Sequence, residues 1–208
     1  MNKGLLIVID GIDGSGKATQ VELLEKEIDC VIFDFPRYED SIYGALIKRY
    51  LNGEFGNEVS PYLVSLPFAM DRLLAKQEIE KALQEGKMVL CNRYTASNKA
   101  HMGANLSESK REEFINWLDK IEYETNMLPK PDLTIFLNVP PQIGQRNISN
   151  RDIHEKNIKH LLEANKIYQE LAKEPGWVTI ECTENGQMKT PEEIHMELLS
   201  VTHSAIGI

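Results

Sequence analysis

Hydrophobic residues along this chain follow two rhythms. Short unbroken apolar runs at 4–10, 31–34, 87–91, 133–138 and 177–181 read as strands buried on both faces. Between them, helical patterns cover 16–28, 42–51, 60–85, 107–125, 141–147, 154–173 and 191–203. Strands separated by helices predict an α/β fold, a five-stranded parallel sheet with helices on both faces. The 208 residues read as one domain, because no repeat, low-complexity segment or linker divides them. The longest helical pattern opens at Ser60-Pro61, a capping residue followed by proline in the first turn, and closes at Gly86. Its stretch from Tyr62 to Met70 is apolar nearly all round, which fits either deep core or a subunit contact. Pro67 within it predicts a kink. Residues 147–153 break the apolar pattern and are expected to form a mobile surface loop.

The turn between the first strand and the first helix carries the strongest chemistry. It reads Gly11-Ile12-Asp13-Gly14-Ser15-Gly16-Lys17-Ala18-Thr19. A glycine-rich turn entering a helix points backbone N–H groups at an anion, and Lys17 adds a mobile positive charge. The glycines are expected to let the backbone approach a phosphate closely. The pattern is that of a nucleotide-phosphate loop, except that residue 18 is Ala and the nearest hydroxyl is on Thr19.

Composition narrows the partners. A formal net charge of -9 argues against a broad nucleic-acid or acidic-membrane surface, so a phosphate site must gather its cations locally. Three cysteines, Cys30, Cys91 and Cys182, lie in or beside predicted strands, and their odd number favours free thiols in a reducing compartment. No signal peptide and no membrane-spanning run is apparent, so a cytoplasmic protein is expected.

Ligands of parallel α/β sheets bind at the carboxyl ends of the strands. After the second strand comes Phe35-Pro36-Arg37-Tyr38, and after the third Asn92-Arg93-Tyr94-Thr95-Ala96-Ser97-Asn98. After the fourth, a helix leads to Arg146 and Arg151. Guanidinium groups recur along one sheet edge of an acidic protein, and their planar forks suit phosphate. On the long helix, Phe68 and Arg72 are four positions apart, so ring and guanidinium share one face. A ring that stacks beside a hydrogen-bond donor suits recognition of one base.

With these segments in order, the chain resembles the thymidylate kinases, nucleoside-monophosphate kinases that act on dTMP. The resemblance also covers Asn-Gly-Glu-Phe-Gly at 52–56, Phe-Ala-Met-Asp-Arg at 68–72 and Leu-Pro-Lys-Pro-Asp-Leu at 128–133, reaching to about residue 175. It implies a P-loop kinase fold, a mobile lid near 147–153 and a homodimer. It implies ATP as phosphoryl donor, held by Gly11, Asp13, Gly14, Ser15, Gly16, Lys17, Ala18 and Thr19, with Mg²⁺ placed by Asp13 and Glu155. Arg37 and Arg93 would grip the acceptor phosphate beside Phe35, Pro36 and Tyr38, with a cis bond before Pro36. Phe68 would stack on thymine, Arg72 would donate to its carbonyl, and Asn98 would read its edge, with Ser97 and His101 nearby. Lys17, Arg93, Arg146, Arg151 and Asp13 would act on the transferring group, which needs alignment and charge neutralisation more than covalent help.

Three positions depart from the family's pattern. Ala18 lacks a metal-ligating hydroxyl, Asn92 stands where an aspartate precedes Arg-Tyr, and His101 takes the place of a tyrosine near the sugar. Two other readings follow: the same fold acting on another monophosphate such as dUMP, and a catalytically impaired nucleotide-binding relative. The absence of an Asn-Lys-x-Asp motif argues against a switch GTPase.

Overall fold

The computed structural model describes residues 3–56, 59–147, 152–154 and 157–207. Five parallel strands form the sheet: β1 Leu6–Asp10, β2 Cys30–Asp34, β3 Met88–Asn92, β4 Leu133–Asn138 and β5 Trp177–Glu181, in the order β2-β3-β1-β4-β5. β1 is central, with Val8 opposite Cys91 on one side and Thr134 on the other. Its residues alternate between two cores, as a period of two requires. Ile7 and Ile9 pack with Val21, Leu24, Ile194 and Leu198. Leu6 and Val8 face the opposite way, onto Ala75, Ile79 and Leu83.

Among the described residues eight α-helices accompany the strands: α1 Lys17–Glu25, α2 Ile42–Leu51, α3 Pro61–Gln84, α4 Thr95–Gly103, α5 Glu108–Asp119, α6 Pro141–Gly144, α7 Ile158–Leu171 and α8 Pro191–Ile206. The pattern over 107–125 resolves into α5 and a π-helical turn, Lys120–Thr125. That over 141–147 becomes α6 and a 3₁₀ turn, Gln145–Asn147. α3 runs unbroken through Pro67, and the Ser60 hydroxyl makes no capping bond. α7 begins at 158 rather than 154, because the Asn157 side chain caps it by accepting from the amides of Lys159 and His160. The peptide bond before Pro36 is cis.

Two elements differ from the sequence expectation outright. α4, within the polar stretch after β3, is a helix rather than a loop. A hairpin, β6 Thr183–Glu184 with β7 Gln187–Met188, precedes α8 and turns on Asn185 and Gly186, both at positive φ. The cysteines are free thiols; Cys91 and Cys182 are buried and Cys30 is partly so. No helix among the described residues is long and apolar enough to cross a membrane.

Candidate active site

The first amides of α1 carry no side-chain cap and no acidic residue in the first turn. They are therefore free to face an anion, with the helix dipole adding to the attraction. Each glycine of the loop has its own reason. A Cβ on Gly14 would lie 2.0 Å from the carbonyl oxygen of Gly144, and one on Gly11 would lie 2.7 Å from that of Leu137. Gly16 has open space around it but sits at φ +90°. The constraint at Gly11 and Gly14 is thus the close approach of neighbouring backbone, which corrects the expectation that phosphate approach alone required these glycines. Lys17 Nζ folds onto its own loop, donating to the carbonyls of Gly11 at 3.0 Å and Ile12 at 2.8 Å. Burial, reinforced by Arg93, pulls its amine down to about 7 against the opposing pull of Asp13.

A narrow cleft and a wider cavity of about 650 Å³ meet at this loop, and Asp13 and Arg93 line both. Arg93 sits at φ +64°, a left-handed conformation uncommon outside glycine. Its guanidinium pairs with the Asp13 carboxylate, donates to the carbonyl of Gly11 at 3.3 Å and to Ser97 Oγ at 3.2 Å, and lies 3.4 Å from His101 Nε2. Burial would raise the Asp13 acid, but the charge on Arg93 overrides it and holds the carboxyl well below the usual range. Behind Arg93, fully buried Asp10 accepts from Ser97 Oγ at 2.7 Å and from the Tyr168 hydroxyl at 2.6 Å.

The far end of the narrow cleft is built by α3, α4 and the π-helical turn. Arg72, fully buried, gives Nε and Nη2 to the Glu122 carboxylate and Nη1 to the carbonyl of Tyr94. Asn98 Nδ2 donates to the carbonyl of Ser65 at 3.1 Å, which leaves its Oδ1 buried without a partner. Phe68 lies on the same wall. His101 and His154 also line the cleft; the rings of His154 and His160 stack 4.2 Å apart, and His101 lies 5.7 Å from His160. Burial keeps all three imidazoles neutral, with His154 at about 4 and His160 at about 3.

The thymidylate kinase family model matches residues 9–194, most of the chain. The chain belongs to the thymidylate kinase family. A probable thymidylate kinase of Pyrobaculum aerophilum is 35% identical over 191 residues, covering 90% of this chain and 91% of that protein. The thymidylate kinase of Mycobacterium tuberculosis is 32% identical over 188 residues, covering 83% and 87%. A solved thymidylate kinase structure from Candida albicans shares the fold, with TM-score 0.80 over 97% of this chain and 92% of that one, at 24% identity.

Most residues that the thymidylate kinase resemblance singled out come together, and a few do not. Phe35, Pro36, Tyr38, Phe68, Arg72, Ser97, Asn98 and His101 line the narrow cleft with Asp13 and Arg93. Arg37 does not line it: its amide and Nε bind the Asp71 carboxylate, and Nη2 reaches that residue's carbonyl. Gly14, Gly16, Lys17, Ala18 and Thr19 line the wide cavity, while Gly11 and Ser15 are buried behind it. Arg146 is exposed on its 3₁₀ turn and lines neither space, whereas its neighbour Asn147 lines the wide cavity and donates to the carbonyl of Gly14. Arg151 and Glu155 fall outside the described residues.

Sequence reasoning did not single out Asp10, Asp71, Glu122, His154 and Tyr168, which hold Arg37, Arg72 and Ser97 or line the narrow cleft. Asp10 ends an apolar strand, an odd place for a carboxylate, and that was a usable signal. Glu122 lies 50 positions from Arg72, and no local pattern links them. The charge absent at Asn92 returns from the next strand: Asp34 lies in register with Asn92, and the two side chains hydrogen-bond.

Proposed function

We propose that this chain transfers the γ-phosphoryl group of ATP to dTMP, giving dTDP and ADP. One observation carries the reading: the narrow cleft and the wide cavity converge on the same carboxylate and guanidinium, Asp13 and Arg93. The wide cavity receives the triphosphate on the α1 amides and Lys17. The cleft receives the monophosphate, whose oxygen attacks the γ-phosphorus as the bond to the β–γ bridging oxygen breaks. Arg93 neutralises charge on both sides of that transfer.

The cleft's far end suits thymine. Asn98 Oδ1 is a buried acceptor in need of a donor, and the thymine ring N3–H supplies one. Phe68 gives a face for stacking, and Arg72 gives N–H groups toward a ring carbonyl. Uracil offers the same edge, so dUMP differs only by a methyl group, a contrast of about tenfold or more.

Among the described residues, no three His, Cys, Asp or Glu side chains converge on a metal site. The donor set fits a hydrated Mg²⁺ carried in by the nucleotide: Asn92 Oδ1 is buried without a partner on the cavity wall, with Asp13 nearby, and Ala18 offers no hydroxyl. Bound there, the ion would neutralise phosphate charge. The apolar groove between α2 and the first half of α3, including Leu46, Phe55, Leu63 and Met70, is read as the contact with a second copy. Leu63 is 61% exposed on it, a large area for an unpaired aliphatic. Free cysteines support a reducing, cytoplasmic setting.

A coupled ADP-release assay with dTMP, dUMP, dCMP and AMP tests the reading. The expected order places dTMP first and dUMP about tenfold behind in kcat/KM, with dCMP and AMP near background. Preference for any other acceptor overturns the base assignment. Tight dTMP binding without turnover would instead identify an impaired relative.

A further inference from the structure

The wide cavity extends beyond the phosphate loop. Past Thr19 it is walled by Met188, Lys189, Pro191 and Ile194, with Gln20 among them and the Lys189 ammonium paired with Glu197 at 2.8 Å. Met188 ends the β6–β7 hairpin, and Pro191 and Ile194 open α8. Together they make an apolar shelf of a kind that accepts a flat ring.

Gln20 is the uncharged polar residue whose position there is fixed. It is only 1% exposed, on the inward side of α1. Its Nε2 donates to the carbonyl of Pro191 at 2.9 Å. A carbonyl only accepts, so this bond settles which way the amide faces: nitrogen toward Pro191, oxygen away. That oxygen, Oε1, is buried and has no partner. An unpaired buried acceptor is unfavourable, and a ligand that donates to it removes the penalty.

We propose that Gln20 selects the donor base, its Oε1 accepting a hydrogen bond from the exocyclic 6-amino group of adenine resting on the Met188–Pro191–Ile194 shelf. The proposal rests on reading the wide cavity as the triphosphate site, and it deepens that reading. Guanine carries a carbonyl oxygen where adenine carries the amine, so acceptor would meet acceptor. Rotating the Gln20 amide to offer nitrogen would break the Pro191 bond and turn oxygen against oxygen. Adenine is therefore favoured by a contact, and guanine is opposed by a repulsion.

The experiment measures kcat/KM at saturating dTMP with ATP, with GTP, and with purine ribonucleoside 5′-triphosphate, in which hydrogen replaces the 6-amino group. Wild-type protein and Gln20→Met, which keeps length and loses the acceptor, are compared. Wild type is expected to use ATP about tenfold better than the 6-hydrogen analogue and about a hundredfold better than GTP. Gln20→Met is expected to bring the ATP-to-analogue ratio near one, with KM for dTMP little changed. A purely structural Gln20 would lower both donors together and leave the ratio intact, which overturns the proposal. A wild-type ratio near one overturns it without recourse to any variant. If no triphosphate phosphorylates dTMP, the donor-site reading fails and takes the Gln20 assignment with it.

Discussion

Single residues in this site are held by partners far away in sequence. Arg72 lines the narrow cleft while Glu122 grips two of its nitrogens inside the protein. Removing one member of a buried pair leaves the other charge uncompensated. Glu122→Gln is expected to lower stability by about 3 kcal/mol in denaturant titrations and to raise KM for dTMP more than KM for ATP. Lys17 gives a second expectation at this scale. With the free amine at about 7, much of it is neutral at pH 8, and a bound triphosphate restores the charge. ATP binding at pH 8 should therefore take up protons, and donor affinity should fall as pH rises above 7. Calorimetry in two buffers of different ionisation enthalpy reads both.

At the scale of elements, the phosphate loop depends on how closely α6 approaches it. Gly14→Ala drives a Cβ into the Gly144 carbonyl, whereas Gly16→Ala meets only its own φ of +90°. The first should cost about 3 kcal/mol or more and abolish ATP binding. The second should cost about 1 kcal/mol and leave binding measurable, by thermal melts with and without ATP. The same contrast explains what the chain reveals unaided. The five strands and the long helices are legible because each is an apolar run or stripe that a sheet with two covered faces demands. α4 was illegible because it is short and interleaves the core residues Ala96, Ala100 and Met102 with buried polar ones, Asn98 and His101, so no apolar stripe marks it. The hairpin before α8 had a readable sign in Asn185-Gly186, the commonest two-residue turn between strands. The motif residues at strand ends were legible, since a nucleotide needs them at fixed spacing. Their anchors Asp10, Asp71 and Glu122 were not, because tertiary packing alone brings them near.

For the whole molecule, the buried histidines set a limit on acid tolerance. In the folded state burial holds His154 at about 4, His160 at about 3 and His101 well below its ordinary value. In the unfolded chain all three take up protons near 6.5. Depressed folded values mean that the unfolded state binds more protons between about 4 and 6.5, so stability is full above 6.5 and falls as pH drops through that window. A loss of about 5 kcal/mol from pH 7 to 5 is expected in urea titrations. Replacing His154 and His160 with Phe, which keeps the stacked rings and removes the titrating groups, should flatten that slope.

Four cations in and beside the two spaces are already engaged: Arg93 with Asp13, Arg37 with Asp71, Arg72 with Glu122, and Lys17 with its own loop. An incoming nucleotide therefore displaces resident contacts instead of falling into an open positive field. On a body of net charge -9 this leaves little long-range pull. Recognition begins at touching distance, and encounter rates should rise with ionic strength as salt screens the repulsion between an acidic protein and an anionic nucleotide.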